Sequence, residues 1–80
     1  MYKEVFKIRI KAAREQLGLS QIKVSADTEI HQSYLSKYES GQLEPNLEQL
    51  GKLANYYEVS IDWLLGNPHQ SKWENKEDEK

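Results

Sequence analysis

The residues of this sequence best suited to chemistry are polar side chains on one side of a short segment, residues 32–40 (QSYLSKYES). On a helical wheel they lie opposite Leu35 and Tyr38. The polar residues are Gln32, Ser33, Ser36 and Lys37. An amide, two hydroxyls and an ammonium group offer hydrogen-bond donors and acceptors, but no nucleophile beside a base. The pattern therefore favours recognition through hydrogen bonds over covalent catalysis.

Metal and thiol chemistry are disfavoured by composition. The chain has no cysteine, which excludes a disulfide scaffold, a thiolate zinc site and a thiol nucleophile. Its two histidines, His31 and His69, lie in different segments, and its glutamates are scattered rather than paired. We therefore expect no metal, no cofactor and no enzymatic activity.

Size and charge indicate one small domain. The chain has 80 residues, and its longest apolar run, residues 63–65, is far too short to cross a membrane. The N-terminus has no apolar core typical of a signal peptide, so we expect a cytoplasmic protein that contacts no membrane. The net charge is −2, yet Lys and Arg outnumber acids in residues 1–40, and the reverse holds in residues 41–80. The cationic half remains compatible with a nucleic-acid partner.

Periodicity predicts three helices in the first half of the chain. The first runs from Tyr2 to Leu17, the second opens at Gln21, and the third spans residues 32–40. Capping residues at their ends are Gly18, Ser20 and Gly41. The apolar stripe of the first helix consists of Phe6, Ile10, Ala13 and Leu17.

Two further helices complete an all-α domain. The fourth follows the cap Asn46, and the fifth is the short segment IDWLL, residues 61–65. The stripe of the fourth consists of Leu47, Leu50, Leu53, Ala54 and Tyr57. We therefore predict one domain over residues 1–66, followed by a polar and largely flexible C-terminal tail over residues 67–80.

Residue identities between Arg14 and Gly41, REQLGLSQIKVSADTEIHQSYLSKYESG, form a specific pattern. Its main positions are Arg14, Gln21, Val24, Ser25, Ile30, Leu35, Tyr38, Glu39 and Gly41. The pattern resembles the helix-turn-helix of the lambdoid phage repressor and Cro proteins, the Xre family, and the likeness continues in order over residues 4–66. The resemblance implies a compact five-helix lambda-repressor-like domain with the helix-turn-helix in helices two and three. It also implies a transcriptional regulator, in particular a repressor, that binds a palindromic operator as a dimer.

The resemblance assigns roles to individual residues. The third helix would enter the major groove, where each base pair shows its own pattern of donors and acceptors. Base contacts are expected from Gln32, Ser33, Ser36 and Lys37, with Gln32 suited to adenine and Lys37 to guanine or a phosphate. Backbone contacts are expected from Gln21, Tyr34, Lys11 and Arg14. Arg14 and Glu39 resemble the family's structural ion pair, the alternative being two solvated charges.

Two residues depart from the family pattern. Glu29 stands where the family prefers glycine in the turn, so it must either accept a left-handed backbone, at about 1–2 kcal/mol, or shift the turn. His31 stands where a serine or threonine usually caps the recognition helix, and it is a poorer cap. Protonated, it could attract phosphate; the alternative is an ordinary surface residue.

Dimerisation is expected because two copies can occupy successive grooves of one duplex and add their binding energies. Apolar residues of the fifth helix exceed what a small core can cover and would form the interface, with the core as the alternative place for Trp63. These residues are Ile61, Trp63 and Leu64. Trp73 could extend the interface. A rival interpretation is an antitoxin or other protein-interaction module, which binds a partner protein through the acidic second half and DNA only secondarily.

Overall fold

The computed structural model describes residues 2–66 as five α-helices without any strand in that range. Their bounds are α1 (Tyr2–Gln16), α2 (Gln21–Thr28), α3 (Gln32–Ser40), α4 (Leu47–Tyr57) and α5 (Ile61–Leu65). The all-α, five-helix prediction is confirmed. The predicted tail, together with His69 and Trp73, lies outside the described residues.

Helix ends lie where local chemistry places them. Ser20, Asn46 and Ser60 each accept a hydrogen bond from the backbone N–H three residues on, which satisfies a donor that the helix leaves unpaired. Gly66 ends α5 with φ +70, and a Cβ there would lie only 2.7 Å from Val5 Cγ1. Glycine is therefore required at this position both by the left-handed backbone and by the close approach of α1.

One core holds all five helices together. The buried apolar residues are Phe6, Ile10, Ala13, Val24, Ile30, Leu35, Tyr38, Leu50, Leu53, Ala54, Tyr57 and Leu64. Two residues assigned to apolar stripes are not among them, and those assignments are wrong. Leu17 is 52% exposed because α1 ends at Gln16 and the chain turns at Gly18. Leu47 is 85% exposed because it is the first residue of α4, one turn before the stripe reaches the core.

The turn between α2 and α3 adopts the left-handed conformation at Glu29 (φ 65, ψ 16). Of the two expected outcomes, an accepted left-handed residue and a shifted turn, the structure shows the first. The Thr28 side chain supports this turn, since its hydroxyl donates to Val24 O at 2.7 Å and accepts from Ile30 N at 3.2 Å. Lys52 of α4 donates from Nζ to Thr28 O at 2.8 Å, so α4 also fixes the end of α2.

Candidate nucleic-acid interface

Helix α3 presents a polar side outward because its apolar residues face the core. Leu35 and Tyr38 are 2% and 4% exposed. The four residues expected to contact bases, Gln32, Ser33, Ser36 and Lys37, are all exposed. Their accessible donors and acceptors suit hydrogen bonding to a groove of DNA.

His31 caps α3. Its Nδ1 accepts a hydrogen bond from Ser33 N at 3.2 Å and lies 2.9 Å from Ser33 Oγ. An accepting Nδ1 carries no hydrogen, so this cap requires the tautomer that has its hydrogen on Nε2. The imidazole thus performs the capping role usually filled by a serine or threonine hydroxyl.

A chain of hydrogen bonds joins the buried end of α3 to its exposed start. Gln21 Nε2, at the first position of α2, donates to Glu39 Oε1 at 3.0 Å. Gln32 Nε2 in turn donates to Gln21 Oε1 at 2.7 Å. The amide of Gln32 is therefore held by Gln21 of α2, which is itself bonded to Glu39 near the end of α3, and this limits the orientations in which Gln32 can meet a ligand.

Arg14 and Glu39 are joined by two hydrogen bonds, Nε to Oε2 at 2.8 Å and Nη2 to Oε1 at 3.0 Å. The side chains are only 13% and 6% exposed, and the bonds to Glu39 raise the pKa of Arg14. Arg14 also donates from Nη1 to Leu19 O at 2.8 Å. Because the guanidinium is turned to partners within the domain, the geometry opposes the expected contact between Arg14 and a DNA phosphate.

Lys11 and Gln21 border the same cleft, which has a volume of about 300 Å³ and lies beside the outer side of α3. The cleft therefore brings together three of the four expected backbone contacts, Lys11, Arg14 and Gln21. Its full lining is Lys11, Arg14, Gln21, Ser36, Glu39 and Ser40. Tyr34, another expected backbone contact, is 47% exposed and stacks on Tyr38, with ring centroids 6.4 Å apart. One side of its ring is thus packed and the remainder is accessible.

The expected dimer residues of α5 differ in exposure. Ile61 is 40% exposed and Trp63 is half-buried, but Leu64 is fully buried in the core. The assignment of Leu64 to an apolar surface is wrong, because α5 packs against α1 and α4 and the Leu64 side chain belongs to the core. Sequence reasoning also missed Arg9, which donates to Trp63 O at 2.6 Å and lies with its guanidinium carbon 5.0 Å from the centroid of the Trp63 ring. No local pattern connects two residues so far apart in the chain.

Behind this surface, the hydroxyl of Tyr57 is buried without a hydrogen-bond partner. Burial raises the pKa of this phenol, and the nearby Glu39 carboxylate acts in the same direction. Residues 2–66 contain no group of three His, Cys, Asp or Glu side chains that could hold a metal ion. Within the same residues no helix is long and apolar enough to span a membrane.

Comparison with known proteins places these features in context. The family model described as Helix-turn-helix matches residues 10–64. The chain is 39% identical over 64 residues to the HTH-type transcriptional regulator ImmR of Bacillus subtilis (strain 168), covering 80% of this chain and 50% of that protein. It is 38% identical over 65 residues to the SPbeta prophage-derived uncharacterized HTH-type transcriptional regulator YonR of the same strain, covering 81% and 60%.

A third relative is the cryptic phage CTXphi transcriptional repressor RstR of Vibrio cholerae serotype O1 (strain ATCC 39315 / El Tor Inaba N16961), 35% identical over 60 residues that cover 75% of this chain and 54% of the repressor. The chain thus spans about half to three-fifths of the length of these relatives. No solved structure matches the chain significantly.

Proposed function

This chain belongs to the Xre-type helix-turn-helix family of DNA-binding transcriptional regulators, and from that premise we propose that it is a sequence-specific repressor. In the proposed complex a dimer binds a palindromic operator, and each copy inserts α3 into the major groove. Residues 1–66 form the DNA-binding domain. The ligand is double-stranded DNA, and no chemical step is catalysed.

The observation that supports this proposal most directly is the exposed polar side of α3. Gln32, Ser33, Ser36 and Lys37 project from the side opposite the buried Leu35 and Tyr38. The major groove admits one α-helix, and its base edges offer the partners that amide, hydroxyl and ammonium groups require. We assign base contacts to these four residues.

Backbone contacts are assigned to Lys11, Gln21 and Tyr34. Gln21 opens α2, where unpaired N–H groups and the helix dipole favour a phosphate. Lys11 shares the cleft with Gln21, and the exposed part of Tyr34 carries a phenol that can donate to a phosphate oxygen. Arg14 is left out of this set because Glu39 and Leu19 occupy its guanidinium.

The dimer surface is assigned to the exposed part of α5, centred on Ile61 and Trp63. Exposed apolar side chains tend to mark contact surfaces, and a two-fold axis brings the same patch of two copies together. Two α3 helices related by that axis would lie in successive major grooves, about 34–36 Å apart.

Selection of duplexes from a randomised pool by the purified chain tests the proposal. We expect enrichment of palindromes whose half-sites are centred about one helical turn apart, because that spacing matches a two-fold dimer. A pool that shows no enrichment at low ionic strength would overturn the proposed function.

A further inference from the structure

The buried carboxylate of Glu39 determines how the amide of Gln21 is turned. A carboxylate has only acceptors, and both oxygens of Glu39 accept from Arg14. Gln21 must therefore direct its NH₂ group toward Glu39, as the Nε2 to Oε1 distance of 3.0 Å shows. The opposite orientation would place two acceptors face to face with no hydrogen between them.

The orientation of Gln21 in turn determines that of Gln32. With its NH₂ group directed at Glu39, Gln21 offers only Oε1 to Gln32, which donates one N–H to it at 2.7 Å. Gln32 then retains its own Oε1 and one further N–H for a ligand. This is one acceptor beside one donor, and the alternative amide orientation would expose two donors instead.

The two purines distinguish these orientations. In the major groove adenine presents the acceptor N7 beside the N6 amino donor, whereas guanine presents two acceptors, N7 and O6. The orientation held here matches adenine. Against guanine it would place Gln32 Oε1 next to O6, two acceptors with no hydrogen between them. The reversed orientation would match guanine.

We propose that Glu39 is a positioning residue that, acting through Gln21, makes Gln32 select adenine over guanine. This inference rests on the proposed function, because Gln32 must reach a base edge. The proposed role of Glu39 is separate from its structural pairing with Arg14, which joins α1 to α3. Arg14 requires acceptors on residue 39, whereas the orientation of Gln21 requires that residue 39 offer it no donor.

The substitution Glu39→Gln gives the sharpest consequence. Oε1 of Glu39 accepts from both Arg14 Nη2 and Gln21 Nε2, and Oε2 accepts from Arg14 Nε. An amide at residue 39 keeps one of the two Arg14 bonds whichever way it is turned, so it no longer fixes one orientation of Gln21. The preference for adenine over guanine should therefore fall, whereas simple destabilisation of the domain would weaken binding to both duplexes alike.

The experiment measures purine preference at one position of the selected operator. Each A·T pair in a half-site is replaced by G·C with the purine kept on its strand. The position read by Gln32 is the one at which the preference between adenine and guanine disappears in Gln32→Ala. There we expect the parent chain to favour adenine by roughly 5- to 150-fold. Glu39→Gln should lose most of this preference, and so should Gln21→Leu, which leaves the Arg14–Glu39 pair intact. The matched control Gln16→Leu changes an exposed glutamine at the end of α1 and should keep the adenine preference of the parent chain.

The outcomes separate the two proposals. If Gln21→Leu keeps the parent's adenine preference, or if Glu39→Gln with a native circular dichroism spectrum keeps it, the positioning role of Glu39 is overturned. Gln21→Leu decides the question on its own if Glu39→Gln does not fold. A parent chain that selects no duplex at all overturns the proposed function instead, and this inference with it.

Discussion

Arg14 of α1 and Glu39 of α3 meet through two hydrogen bonds across 25 residues of sequence, with both side chains largely excluded from water. Removing one partner of such a pair leaves an uncompensated charge in a poorly solvated place. We expect Arg14→Met to lower the free energy of unfolding by about 3 kcal/mol in urea titrations.

A double variant provides the control for this pair. Arg14→Met combined with Glu39→Leu removes both charges, and apolar replacement of a whole buried pair is often close to neutral. The double variant should therefore recover much of the lost stability. A single variant that loses less than about 1 kcal/mol, the range of exposed pairs, would show that the pair contributes little.

Local chemistry explains why the helices were predictable from the sequence. Capping residues such as Ser20, Asn46 and Gly41 act on backbone groups within a few positions of themselves, and apolar spacing follows the helical repeat. The errors at Leu17 and Leu47 arise because periodicity identifies a side of a helix but not how far along that side the neighbouring helices extend.

The candidate site was predictable only in part, for a different reason. The outward side of α3 follows from the spacing of Leu35 and Tyr38. The burial of Leu64 and the bond of Arg9 to Trp63 depend on how α1 and α5 pack, and the link from Glu39 to Gln21 depends on how α2 meets α3. Contacts of this kind have no signal in a single sequence. The roles assigned toward DNA remain predictions.

Glu29 stores backbone strain in the turn of the helix-turn-helix. Its φ of 65 lies in the left-handed region, where a side chain costs about 1–2 kcal/mol that glycine avoids. We expect Glu29→Gly to raise the free energy of unfolding by about 1 kcal/mol, measured by urea titration. Glu58→Gly, at the other non-glycine residue with positive φ among residues 2–66, should raise it too.

The control for this strain is Glu48→Gly, which introduces glycine into helical backbone and should destabilise the domain. If all three substitutions changed the free energy of unfolding in the same direction, the strain argument would be contradicted.

Adjacent tyrosines in α4 should respond oppositely to the same change. Tyr57 buries a hydroxyl that has no partner, whereas Tyr56 donates to Asp27 Oδ2 at 2.6 Å. An unsatisfied buried hydroxyl costs about 1–3 kcal/mol, so Tyr57→Phe should stabilise the domain by about 1 kcal/mol. Tyr56→Phe should destabilise it, because the bond between α4 and α2 is lost. Thermal unfolding of both variants gives the comparison, and a loss of stability in Tyr57→Phe would indicate a partner for its hydroxyl.

Base contacts and backbone contacts should differ in their dependence on sequence. Gln32→Ala and Ser33→Ala are each expected to cost roughly 1–3 kcal/mol on the selected operator and little on random duplexes. Binding titrations on both DNAs measure the difference. Equal losses on the two would show that these side chains do not read bases. Gln42→Ala, a change at an exposed glutamine beyond the end of α3, serves as the matched control.

Gln21 provides the converse case, since it is assigned to the phosphate backbone at the start of α2. Each phosphate that a cationic side chain neutralises adds to the number of counterions released from DNA, and hence to the slope of log affinity against log salt. We therefore expect Lys11→Ala, which removes a cation, to weaken binding to all duplexes and make this slope shallower by up to about one unit. Gln21→Ala should also weaken binding to random duplexes, in contrast to Gln32→Ala. Loosening the start of α2 weakens the neighbouring phosphate contacts, so the slope of log affinity against log salt should become shallower for Gln21→Ala as well. Titrations over a series of salt concentrations measure both slopes. Unchanged affinity of Gln21→Ala for random DNA, together with an unchanged slope, would remove Gln21 from the phosphate contacts and leave it only its bonds to Glu39 and Gln32.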